Sequence, residues 1–169
     1  MKTHGCSYIL GIIIHFCLLV TGLAAKPNTM ECPKDTDLIK LFYEKQDDLK
    51  KLSLMLKDDE GKVRYIGDDT IRAENISKPR QAEYLRLMKR LGEGLTVRAG
   101  EKEIWISFWN NGGLSVGSES EKGIVYLPDI KRRKYTIKEN LDSLDTNFGD
   151  GVFVRLIENE WYIMYINSS

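Results

Sequence analysis

Between residues 95 and 166 the chain carries short runs rich in β-branched and aromatic side chains, each cut off by turn-forming residues. They cover residues 95–97, 104–109, 114–117, 123–127, 152–157 and 161–166. Apolar runs of this length, bounded by Gly, Asn and Asp, predict strands. The stretch ahead of them has another period. Leu38, Leu41, Phe42, Leu49, Leu52 and Leu56 recur at helical spacing, with Lys45, Asp48 and Lys51 on other faces. This predicts one amphipathic helix of about five turns. Asp35, Thr36 and Asp37 are its N-cap candidates, and Asp58-Asp59-Glu60-Gly61 ends it.

A short strand over 63–66 follows, and then a second helix from Ser77. Pro79 sits in its first turn, where a missing N–H costs little. Ala82, Leu85, Met88 and Leu91 form its apolar stripe. Asn110-Asn111-Gly112-Gly113 and Glu158-Asn159-Glu160 read as hairpin turns. The last run, 161–166, is apolar on both faces and belongs at a covered, central position in a sheet. The expectation is therefore an α+β fold with two N-terminal helices packed on a mainly antiparallel meander of about five to six strands.

The N-terminus reads as an export signal. Lys2 precedes an almost unbroken apolar run over 7–23, and Ala24-Ala25 supplies small residues for cleavage after either one. The alternative is an uncleaved N-terminal membrane anchor, since the run approaches the ~17–25 residues that span a bilayer. The domain reading is residues 1–25 as signal, 26–35 as a flexible leader, and 36–169 as a single α+β domain, secreted or periplasmic after cleavage.

Removing 25 residues from 169 leaves 144, enough for one core without disulfide staples. Lys2 is the only charged residue removed, so 24 basic residues face 25 acidic ones, a net charge of −1. Near-neutrality argues against nucleic acid and against an anionic membrane as the main partner. Both histidines, His4 and His15, leave with the signal. Imidazole-based acid–base and nucleophile chemistry leaves with them, as does His-ligated zinc. Cys32 becomes the one cysteine, a loose terminal thiol or a partner for an intermolecular disulfide.

The order of parts resembles a family of small exported bacterial proteins without an assigned activity. The residues that carry the likeness are Leu41-Phe42, Tyr84-Leu85-Arg86-Leu87, the 122–128 segment Lys-Gly-Ile-Val-Tyr-Leu-Pro, and Trp161-Tyr162-Ile163. The resemblance implies export and a common fold and transfers no catalytic site.

Several motifs carry chemistry on paper. Gly113-Leu114-Ser115-Val116-Gly117 matches the G-x-S-x-G pattern. It follows a hairpin turn and lacks the histidine that pattern requires, so it is read as spurious. Asp142, Asp145, Asn147 and Asp150 gather oxygen ligands that fail the EF-hand spacing, leaving a looser calcium site beside a turn-and-cap reading. Lys131, Arg132, Arg133 and Lys134 form the densest basic run, a candidate anion contact or a solvated loop. Strand alternation puts Trp105, Ser107 and Trp109 on one face, leading into Asn110 and Asn111. That face is a platform for a partner, or it lies buried under a helix. Asp68 and Asp69 are adjacent carboxylates, and Asn75 and Asn167 begin glycan-acceptor triplets.

No cofactor is expected. The leading expectation is a non-enzymatic exported domain that binds a protein in the envelope or outside the cell, as an inhibitor, immunity-type protein or assembly accessory. A small-ligand or glycan binder is the alternative, and a carboxylate-based hydrolase is the remote one.

Overall fold

The computed structural model describes residues 31–67, 69–100, 103–111, 119–132, 134–144 and 149–168. The stretch read as an export signal, the G-x-S-x-G stretch, Asp68, Arg133, Asp145 and Asn147 lie outside them. The fold is α+β, as the residue pattern requires, but its parts differ in number and order. Three helices, α1 (Asp35–Glu44), α2 (Gln46–Asp58) and α3 (Lys78–Leu91), accompany an eight-stranded sheet. The strands are β1 (Val63–Ile66), β2 (Ile71–Ala73), β3 (Thr96–Ala99), β4 (Ile104–Asn110), β5 (Glu119–Tyr126), β6 (Thr136–Ile137), β7 (Gly151–Glu158) and β8 (Trp161–Ser168).

The sheet order is β2-β1-β3-β4-β5-β8-β7-β6, antiparallel throughout except for the parallel β6–β7 pair. Two strands beyond the expected six, β2 and β6, are three and two residues long, too short to show a period. The simple meander is also interrupted. β8 enters between β5 and β7, which gives its doubly apolar sequence the central position it needs.

The long first helix divides at Lys45, whose backbone (φ −113°, ψ 15°) leaves the helical region. The apolar stripe skips a turn there, since Lys45 and Gln46 stand between Phe42 and Leu49 and neither is apolar. The first piece also bridges two apolar clusters, since Phe42 of α1 shares the cluster of α2 while Leu38 belongs to another. Leu38 of α1 packs with Trp109, Leu141, Phe153, Ile163 and Tyr165. Leu49, Leu52, Met55 and Leu56 of α2 join Tyr84, Leu87, Met88 and Leu91 of α3 over Ile66, Val97, Ile106 and Ile124. The expected acidic N-cap is absent from α1. Lys34 takes that position without a side-chain cap, and Asp35 is buried instead. At α3 the expected cap forms, with Ser77 Oγ accepting from the Arg80 N–H at 3.4 Å.

The other face of the sheet has its own apolar cluster: Trp105, Val125, Leu127, Val154, Tyr162 and Met164. Ile130 and Tyr135, from the connection between β5 and β6, pack against it. Helices thus cover one face, and part of the second lies under a loop. Among the described residues no helix is long and apolar enough to cross a membrane.

Candidate functional site

The tryptophan platform is decided by one extra residue. Ser107 pairs with Gly123 and Trp109 pairs with Lys122, so Phe108 is a β-bulge. Past the bulge the side chains change sides. Trp105 packs with Tyr162 and Met164, whereas Trp109 packs with Ile163 and Tyr165. Adjacent residues on β8 point to opposite faces, so the two indoles do as well. Both are buried, at 5 % and 8 % exposure, and Trp105 Nε1 donates to Glu121 at 2.9 Å. The expectation of a shared Trp105–Ser107–Trp109 face is therefore corrected, and the reading that buries these residues is the one realised. Ser107 is buried too, while Asn110 and Asn111 are exposed at the strand end.

Beside Trp109, on the helix face, lies a buried charge cluster the residue pattern did not reveal. Lys122 is 1 % exposed and its Nζ stands 2.7 Å from Asp142 Oδ1 and 2.8 Å from Asp35 Oδ1. Asp35, fully buried, also receives Arg155 Nη1 and the Leu141 N–H, each at 2.8 Å, on Oδ2. The Asp35 N–H in turn donates to Asp142 Oδ1 at 2.8 Å. Burial alone would push the Asp35 carboxyl up, but the bonds from Leu141, Lys122 and Arg155 outweigh it and hold the carboxyl below its ordinary value. Burial likewise disfavours the Lys122 ammonium, yet Asp142 and Asp35 more than compensate and raise its pKa. Two acids facing two bases make a neutral set, in which Asp35 Oδ1 is met only by the charge of Lys122. Its role is that of a clasp between the start of α1, β5, β7 and the 140–144 turn.

Cys32 is half-buried against the Leu38–Trp109 cluster. Burial, the largest influence on it, pushes its thiol up despite the nearby Lys122. Such a thiol is a poor nucleophile and slow to cross-link. Asp142 belongs to the clasp, and Asp150 is exposed. Among the described residues no group of His, Cys, Asp or Glu is placed to hold a metal ion. Lys131 lies in the short 3₁₀ turn Ile130–Arg132, and both it and Lys134 are exposed. Asn167 is buried in β8 and accepts from Ser120 Oγ at 2.7 Å, so it is no accessible glycan acceptor.

The surface that gathers functional groups is the uncovered part of the second sheet face. A bulge in β1 between Val63 and Tyr65 lets Val63 and Ile66 both enter the core while Arg64 stays exposed. On β2, Ile71 and Ala73 turn to the core, leaving Arg72 outside. On β3, Val97 is buried and Arg98 is exposed. Lys62, Arg64, Arg72 and Arg98 then line one shallow groove of about 580 Å³ with Tyr65, Ala73 and Glu74. Arg72 stands 5.5 Å from the centre of the Tyr65 ring. Arg64 meets Glu74 at 3.3 Å, a pair more than two-thirds exposed on both sides. Arg98 is held by the buried Glu121, the same carboxylate that accepts from Trp105, and remains 52 % exposed.

Among the described residues, four bases and one acid thus line a groove on a chain whose basic and acidic residues balance at 25 each. In sequence these bases are spread over residues 62–98, so no dense run announced them. The usable signal was alternation: Arg72 and Arg98 each sit between core-facing residues of a short strand. Arranged guanidinium groups beside an aromatic ring are suited to carboxylates or other planar anions. Comparison with protein-family models, with curated proteins and with solved structures found no match.

Proposed function

We propose that this protein is an exported, non-enzymatic binding domain whose β2-β1-β3 face docks an acidic segment of another protein in the cell envelope or outside the cell. One observation carries the reading. Lys62, Arg64, Arg72 and Arg98 share a groove in which Glu74, already paired, is the only lining acid among the described residues. A near-neutral chain that concentrates positive charge on one face favours a partner with the complementary field. Tyr65, partly exposed between the arginines, adds an apolar surface of the kind that anchors interfaces. The export segment and the resemblance to small exported bacterial proteins agree with the compartment, and the buried tryptophans move the contact surface away from β4.

The test is co-purification of tagged residues 26–169 from the exported compartment, in parallel with an Arg64→Glu/Arg72→Glu variant. Both arginines are exposed, so the variant should unfold at the same temperature. A stoichiometric acidic partner kept by the parent and lost by the variant, with retention falling as salt rises, is the expected result. A partner kept equally by both proteins, or no partner at all, overturns the assignment.

A further inference from the structure

We infer that the cleft between the end of α2, the end of β3, the start of β4 and the end of β5 binds a small organic cation with an apolar body. The cleft encloses about 340 Å³, at the small end of the range for specific ligand sites, and stands apart from the basic groove. Leu56, Ala99, Ile104 and Pro128 contribute its apolar lining. Glu60 and Glu103 contribute two carboxylates.

The charge balance selects the ligand. Lys57 is the one basic residue lining the cleft among the described residues, and its ammonium is already committed. It donates to Tyr126 Oη at 2.8 Å and lies 4.2 Å from the centre of that ring. The Tyr126 hydroxyl in turn donates to Glu160 Oε2 at 2.5 Å. This relay lets Glu160 answer the lysine charge from outside the cleft. Glu60 is exposed, and Glu103 accepts from Tyr135 Oη at 3.1 Å. A carboxylate has several lone-pair sites, so Glu103 can accept from a ligand ammonium as well. An apolar floor with a surplus of negative charge favours an amine carrying a ring or short alkyl body. An anion of the same shape would meet two glutamates against one lysine, whose charge Tyr126 and Glu160 already share. A water-filled surface cleft is the competing description, and it predicts no charge preference.

The probes are 2-phenylethylamine, 2-phenylethanol and phenylacetate, which share one apolar body and differ in charge. Each is titrated into the ¹⁵N-labelled mature chain and followed by amide chemical shifts. The expected result is saturable shifts for the amine at Ala99, Gly100, Ile104 and Tyr126, weaker binding of the alcohol, and weakest binding of the acid. Glu60→Gln and Glu103→Gln should each weaken the amine by about three- to fivefold and leave the alcohol unchanged. The alcohol arm also reports whether the variants keep the cleft intact. Absence of saturable shifts there with the amine, or binding of phenylacetate as tight as that of the amine, overturns the inference. The readout needs no protein partner, so it stands or falls independently of the basic groove.

Discussion

An ammonium that is 1 % exposed survives as a charge only because carboxylates surround it, and Lys122 has two. Removing one member of such a set strands the others without water. Lys122→Met should therefore lower stability by about 3–5 kcal/mol, measured by urea unfolding. Asp142→Asn should lower it by less, because Asp142 is one-third exposed and water can replace part of what it does. The clasp also sets the acid limit of the fold. The Asp35 carboxyl is held below its ordinary 3.8, so its contribution is complete above that value. It is lost as pH falls through the lower folded value, when the carboxylate must be protonated. Asp59 is shifted the same way: burial raises it, but Arg80 and Tyr84 lower it further. The urea midpoint should hold from neutral pH down to about pH 5 and drop by about pH 3. The Asp35→Asn variant should be less stable than the parent at neutral pH and show a smaller acid-dependent drop.

At the scale of elements, the β4–β5 pair depends on a glycine. A Cβ on Gly123 would lie 2.1 Å from the Ile106 carbonyl oxygen and 3.0 Å from Ser107 Cα, both backbone atoms that cannot rotate away. The close approach occurs beside the bulge at Phe108, where Gly123 pairs with Ser107. Gly123→Ala should destabilise by about 3 kcal/mol, near the top of the overpacking range, and thermal unfolding measures it. If the pair opens there, Trp109 loses its packing and its fluorescence emission shifts to longer wavelength. The same bulge explains why alternation failed as a guide to the tryptophans: period two holds only while the ladder holds. Division of the first helix at Lys45 has a similar origin, since periodicity reports a shared apolar stripe and says little about which core each turn meets.

Across the whole molecule, charge is sorted by face far more than the net value suggests. At neutral pH and low ionic strength residues 26–169, with 24 bases against 25 acids, should be retained on a sulfonated cation exchanger through the Lys62–Arg98 face. Arg64→Glu/Arg72→Glu should flow through. Lys40→Glu/Lys50→Glu, which changes net charge equally at exposed helix positions, should still be retained. Equal loss of retention in both variants would mean that net charge governs and that the groove carries no concentrated field.

The α+β class, the cap at Ser77, the hairpin at Asn159 and the central place of the last strand were legible in the residues. Each is set by local chemistry or by period, which neighbours in sequence determine among themselves. The bulges at Arg64 and Phe108, the two shortest strands, the Asp35–Lys122–Arg155 clasp and the basic groove were not. The clasp joins residues from 20 to 120 positions apart, as Asp142 to Lys122 and Arg155 to Asp35 show. A buried charge or a gathered surface depends on which strands lie side by side. Only the folded sheet decides that, because its register and order are set by packing between distant elements.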